Sequence, residues 1–167
     1  ELEATKQRSL AKPLVYLSSL IMIEANIKGL GVIYQGSCHC GRVRFEVEAD
    51  EEIQCKDCNC SICAMSGFLH LIVPKSRFKL LAGKEDLTTY TFNTGVARHT
   101  FCRVCGIKPF YTPRSNPDGI DVNVRCLSPL PTKLILKPFD GQNWELHAHT
   151  LAHLSRETDR EEKNHEN

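Results

Sequence analysis

Seven of the nine cysteines in this 167-residue chain fall into three tight groups: Cys38-x-Cys40, Cys58-x-Cys60-x-x-Cys63 and Cys102-x-x-Cys105. Thiolates at such spacings can converge on one metal ion, and soft sulfur donors of this kind suit zinc. Four thiolates close a tetrahedron around zinc, whereas three leave one position free. A closed site is structural, and a three-ligand site with an open position is how a protein presents zinc to a substrate. The seven cysteines therefore read as two zinc ions per chain, one enclosed and one open.

Cys38 and Cys40 are expected on one strand, where residues i and i+2 face the same side. Gly36 and Gly41 around them would let the backbone bend closely about the ion. Cys102-Arg103-Val104-Cys105-Gly106 has the form of a zinc knuckle, its glycine turning the chain after the second ligand. Joined, the two pairs make a four-cysteine structural site that staples an early strand to a late hairpin. Cys58, Cys60 and Cys63 can hold the second ion from a single loop. A substrate thiol entering the free position would lose its proton and become a nucleophile. The alternative is that Cys55 closes this site, because Cys55-x-x-Cys58-x-Cys60-x-x-Cys63 also makes a local set of four thiolates. Spacing alone does not choose between them.

Cys126, at an expected strand end, reads as a buried structural thiol. His70 and His99 either touch the pocket or are hydrogen-bonded histidines of the core or a sheet edge. His147, His149 and His153 form an H-x-H-x3-H pattern that could capture metal but reads as a solvated helix face.

Positioning these groups falls to short strands. Residues 42–48 alternate polar and apolar without a break, the mark of a half-buried strand. Residues 68–73, 78–81 and 88–92 are further candidates, as are 120–124 after the Asn116-Pro117-Asp118-Gly119 turn. Residues 96–101 and 107–112 flank the last cysteine pair, which would tip a hairpin. Helix is expected only near 144–154, with a short one around 60–66. The fold class is all-β. Residues 1–30 read as an N-terminal extension, 31–145 as one zinc-braced domain, and 146–167 as a polar C-terminal tail with room for a short helix. The last stretch, 155–167, is too polar to bury a core.

Composition excludes several classes. A net charge of +1 with no long basic run offers no field for nucleic acid. The odd cysteine count and the C-x-C spacings argue against a disulfide framework, so a reducing compartment, cytoplasmic or nuclear, is expected. Leu14 to Ile23 is apolar but too short to span a bilayer. Glu24-Ala25-Asn26 after it makes a poor signal-cleavage site, and Met22 could be the initiator. No membrane association is expected.

At the cysteine groups the sequence resembles the glutathione-dependent formaldehyde-activating enzymes, together with centromere protein V of animals. The matching text is Gly36-Ser37-Cys38-His39-Cys40-Gly41, Cys58-Asn59-Cys60-Ser61-Ile62-Cys63 and His99-Thr100-Phe101-Cys102-x-x-Cys105-Gly106. RFKLL at 77–81, TTYTFNT at 88–94 and FYTPRSNP at 110–117 look like the animal centromere branch. The resemblance implies a zinc-braced β-tent. It places the structural zinc on Cys38, Cys40, Cys102 and Cys105, and the catalytic zinc on Cys58, Cys60 and Cys63. The implied reaction is that of a carbon–sulfur lyase joining glutathione to formaldehyde as S-hydroxymethylglutathione. Cys55 matches no position of that pattern. Arg98 and Arg103 are cations that could meet the carboxylates of glutathione, but no motif assigns them. The rival expectation, from the centromere branch, is a non-catalytic two-zinc module that binds protein or cytoskeletal partners.

Overall fold

Ten strands run through residues 31–157, the part of the chain that the computed structural model describes. They are β1 (Val32–Ser37), β2 (Arg44–Ala49), β3 (Glu52–Cys58), β4 (Leu69–Pro74), β5 (Phe78–Ala82), β6 (Leu87–Tyr90), β7 (His99–Cys102), β8 (Phe110–Tyr111), β9 (Gly119–Asn123) and β10 (Lys133–Phe139). Two short helices join them, α1 (Ser61–Ser66) and α2 (Trp144–His147). The protein is all-β, as the alternation of its sequence predicts. Leu14 to Ile23, Met22 and the end of the polar tail lie outside the described residues. Among the described residues no helix is long and apolar enough to cross a membrane.

The strands form a three-stranded sheet β1-β2-β5, a five-stranded sheet β10-β3-β4-β9-β8 and a ribbon β6-β7. Alternation in β2 sends Phe45, Val47 and Ala49 inward. Their partners come from the larger sheet: Ile53, Cys55, Leu69, Leu71, Val73, Phe110 and Val122 share the same core. Phe45 stacks on Phe78 at 5.5 Å and meets Phe110 edge-on. A Cβ at Gly36 would come within 2.1 Å of the Phe45 ring opposite it. Gly36 therefore admits an aromatic ring and does not bend the chain around an ion.

The five-stranded sheet has two different faces, and this positions the site. In β3, Ile53 and Cys55 point into the core, so Lys56 is turned the other way. In β4, Leu69, Leu71 and Val73 are core, and His70 and Ile72 face away. In β9, Val122 is core and Asp121 faces away. The register sets Lys56 beside His70 and Ile72 beside Asp121. Lys56, His70, Ile72 and Asp121 thus line one cavity on the side of the sheet opposite the core, with Cys58 at the strand end.

The segment after residue 145 packs more than its polarity suggests. A single 3-10 turn follows α2, Leu151 and Ser155 are buried, and the Asn116 amide donates to Leu151 O and Ser155 Oγ, each at 2.9 Å.

Candidate metal sites and the cavity between the walls

The first cluster is built from turns. Cys38 and Cys40 lie beyond the end of β1, not on a strand as expected. A Gly41 N–H to Cys38 O bond of 3.0 Å closes the turn, and Gly41 sits at φ +75°, open to glycine at little cost. The second pair mirrors it: Gly106, also at φ +75°, donates to Cys102 O at 2.8 Å, the knuckle form read from the sequence. The Sγ atoms of Cys38 and Cys40 are 3.5 Å apart, those of Cys40 and Cys102 are 3.8 Å apart, and all four, Cys105 included, lie within 4.8 Å of one another. The backbone N–H of Val43 donates to Cys38 Sγ at 3.4 Å. Such an all-sulfur donor set suits a four-coordinate structural zinc. Cys126, in a 3-10 turn after β9, is half-buried beside this cluster. Burial, then the Cys38 and Cys105 sulfurs, push its thiol up to about 12.

The second cluster forms where β3 ends and α1 begins. Cys58 closes β3, Cys60 caps α1, and Cys63 is the buried residue of that helix. Asn59 ties this loop down, donating to Asp140 Oδ1 at 3.1 Å and accepting from Gln142 N–H at 3.0 Å. Gly141 lies against the sulfurs, where a Cβ would fall 2.3 Å from Cys58 Sγ and 3.0 Å from Cys60 Cβ. Thiol hydrogen bonds from Cys58 and Cys63 pull Cys60 down to about 2, while those same contacts and burial push Cys63 up. Three sulfurs in hydrogen-bond contact with one another are the soft donors that a zinc ion takes.

A histidine joins two of these sulfurs, and Cys60 stands outside the group they form. Cys58 Sγ, Cys63 Sγ and a ring nitrogen of His70 lie within 4.8 Å of one another, all three buried. His70 Nδ1 is 2.7 Å from Asp121 Oδ2, and His70 Nε2 is buried without a hydrogen-bond partner. Cys55, the other candidate for this site, packs in the core on the opposite side of the sheet.

Above the cluster opens a cavity of about 510 Å³, within the range of small-molecule sites. One wall is aromatic. Phe92 stacks on His99 at 5.3 Å, and His99 on Tyr111 at 4.9 Å. The Lys108 ammonium sits 4.0 Å over the Tyr111 ring and 3.0 Å from His99 Nδ1, to which it donates. Burial, with Lys108 beside it, pulls His99 down to about 4, so it is neutral. The cavity lining also carries Arg114, stacked 3.3 Å over the Trp144 ring and 3.2 Å from Glu145. Arg103 does not reach the cavity lining; it is held by Asp86 at 3.4 Å on the first cluster's knuckle. His147 pairs with Asp140 at 3.9 Å, and His147, His149 and His153 form no metal-binding group among the described residues.

Sequence reasoning did not single out Gly141, Asp121 or Arg114. Nothing in the Asp140-Gly141 dipeptide announces that a side chain at 141 would run into Cys58 Sγ. Asp121 acquires its position only through the sheet register, and Arg114 from the loop between β8 and β9.

A small β protein with one four-thiol cluster and one mixed thiol–imidazole cluster under a cavity belongs to the class of cysteine-rich domains able to hold two metal ions. More narrowly, the chain is a member of the glutathione-dependent formaldehyde-activating enzyme family, whose pattern matches residues 33–140. It is also similar to a protein of Rhodobacter sphaeroides of known crystal structure. The two are 35% identical with a TM-score of 0.55, over 62% of this chain and 99% of that one.

Proposed function

We propose that this protein is a zinc-dependent carbon–sulfur lyase of the S-(hydroxymethyl)glutathione synthase type. The observation that carries the reading is a thiol cluster at the floor of a substrate-sized cavity, in a chain of the formaldehyde-activating family. Cys38, Cys40, Cys102 and Cys105 hold a structural zinc, and Cys58, Cys60 and Cys63 hold the second. Bound there, zinc supplies Lewis acidity that favours the thiolate of an incoming thiol.

The chain's own residues do the rest. In the synthetic direction the glutathione sulfur attacks the carbon of formaldehyde, a carbon–sulfur bond forms, and the thiol proton ends on the former carbonyl oxygen. No electrons leave the reactants. Phe92, His99 and Tyr111 present an apolar wall that keeps water from the reacting atoms. Arg114 and Lys56, on the cavity lining, offer positive charge to the carboxylates of glutathione. Arg114 is the better placed, its guanidinium flattened on Trp144.

A second reading rests on an exposed apolar groove lined by Met65, Tyr90 and Phe92, with Met65 89% exposed. Such a surface suits a non-catalytic two-zinc module related to centromere protein V that binds protein partners. The two readings separate by exchange NMR on glutathione and formaldehyde, which equilibrate without help. Faster exchange with the zinc-loaded protein, lost in Cys60→Ser, is the enzyme's result. A spontaneous rate in the presence of protein carrying two zincs would leave the module.

A further inference from the structure

We infer that His70 is the fourth protein ligand of the second metal site in the thiol-free protein, through Nε2. This rests on the reading that Cys58, Cys60 and Cys63 hold a metal, and not on the reaction assigned to it. Three independent features converge. A His70 ring nitrogen lies within 4.8 Å of both Cys58 Sγ and Cys63 Sγ. Nδ1 is committed to Asp121 at 2.7 Å, which makes Nδ1 the protonated nitrogen and leaves the lone pair on Nε2. Nε2 is buried and has no other partner, in a side chain only 7% exposed. A buried, unpaired ring nitrogen is costly unless something binds it.

A carboxylate behind a ligating histidine is the usual way a protein fixes the ring's tautomer and raises its basicity toward zinc. Here the β4–β9 register supplies it. Asn123 lies opposite His70, and Asp121, two residues on, shares that face. Asp121 is itself almost fully buried, with a side chain 1% exposed, so its purpose lies inward. Cys58, Cys63 and His70 would supply three of the four donors that zinc takes, and Cys60, in hydrogen-bond contact with Cys58 and Cys63, would supply the fourth. The site is then closed at rest by a neutral donor, which an anionic substrate thiolate can replace more readily than it could replace a fourth cysteine.

The test is cadmium NMR on the full-length protein with both sites loaded with NMR-active cadmium and with nitrogen-labelled histidine. Two cadmium resonances are expected, one of them split by a single histidine nitrogen. His70→Gln should remove the splitting and move that resonance only. Asp121→Asn, which keeps the ring, should retain the coupling while lowering metal affinity at that site by roughly 10- to 100-fold. Absence of nitrogen coupling in the wild-type protein overturns the assignment. That result would leave the enzyme reading standing, with water or substrate in the fourth position. Coupling that persists at saturating glutathione would keep His70 as ligand but sink the thiol-exchange chemistry, so the two failures are distinguishable.

Discussion

The two cysteine clusters use the same donor atom and are built in opposite ways. The first gathers its sulfurs from turns 62 residues apart, Cys40 and Cys102, and exists only once the chain has folded. The second takes Cys58 and Cys63 from one short loop, with Cys60 in contact with both, and borrows its remaining neighbours, His70, Asp121 and Gly141, from the sheet and a distant turn. The first lies against the core, with Cys38 and Cys102 among its buried residues; the second lies under a cavity. A metal that closes a long loop is part of the fold. A metal held by one loop can be lost without losing the fold, and that is the freedom a reactive site needs.

Removing a ligand from each cluster should separate these roles. Cys102→Ser is expected to abolish the cooperative thermal transition and release zinc, since binding at structural zinc sites is worth about 10–16 kcal/mol of folding free energy. Circular dichroism and zinc stoichiometry would show both losses together, and a well-folded variant retaining two zincs would erase the contrast. Cys60→Ser should keep the melting transition while losing one zinc equivalent.

Gly141→Ala sharpens the same comparison without touching a ligand. Its Cβ would fall 2.3 Å from Cys58 Sγ, and relief of such overpacking costs about 1–3 kcal/mol. Chelator competition should show the second zinc weakened roughly 5- to 150-fold and the first unchanged. Arg114→Ala probes the cavity above that metal. Loss of one charge-assisted contact predicts a rise of about tenfold in KM for glutathione, with little change in kcat. Equal falls in kcat and kcat/KM would place Arg114 at the reacting atoms.

The smallest effect concerns the aromatic wall. His99 is held at about 4 against an ordinary value near 6.5, so as pH falls the unfolded chain takes up this proton first. Its contribution to stability is complete above pH 6.5 and is lost as pH drops toward 4. Between pH 7 and pH 5 the wild-type protein should lose on the order of 1 kcal/mol more than His99→Gln in urea titrations. Parallel losses in the two proteins would contradict a neutral, buried His99.

Much of the architecture was legible because period-two alternation is written locally. Residues 42–48 announced β2, and 68–73 announced β4, though not its two unlike faces. β10 was not legible: it pairs in parallel with β3, has exposed and half-buried residues in no strict alternation, and contains Pro138. The knuckle at Cys102 was readable from its spacing and Gly106, whereas the turn at Cys38 was mistaken for strand because C-x-C fits either geometry. Whether Cys55 could join the second cluster was undecidable from spacing. Strand alternation answers it, since Cys55 and Cys58 lie three apart and Cys55 belongs to the core face. His70 was ambiguous for the same kind of reason. Its partner Asp121 lies 51 residues away, brought near only by the pairing of β4 with β9.

The most direct test is X-ray absorption at the zinc edge on the protein purified with both metals, before and after adding glutathione. Two unlike sites predict an average of about 3.5 sulfurs per zinc, from four at one site and three at the other, rising toward four with glutathione. Four sulfurs per zinc from the outset, unchanged by glutathione, would mean that both sites are closed by cysteine and would contradict the account.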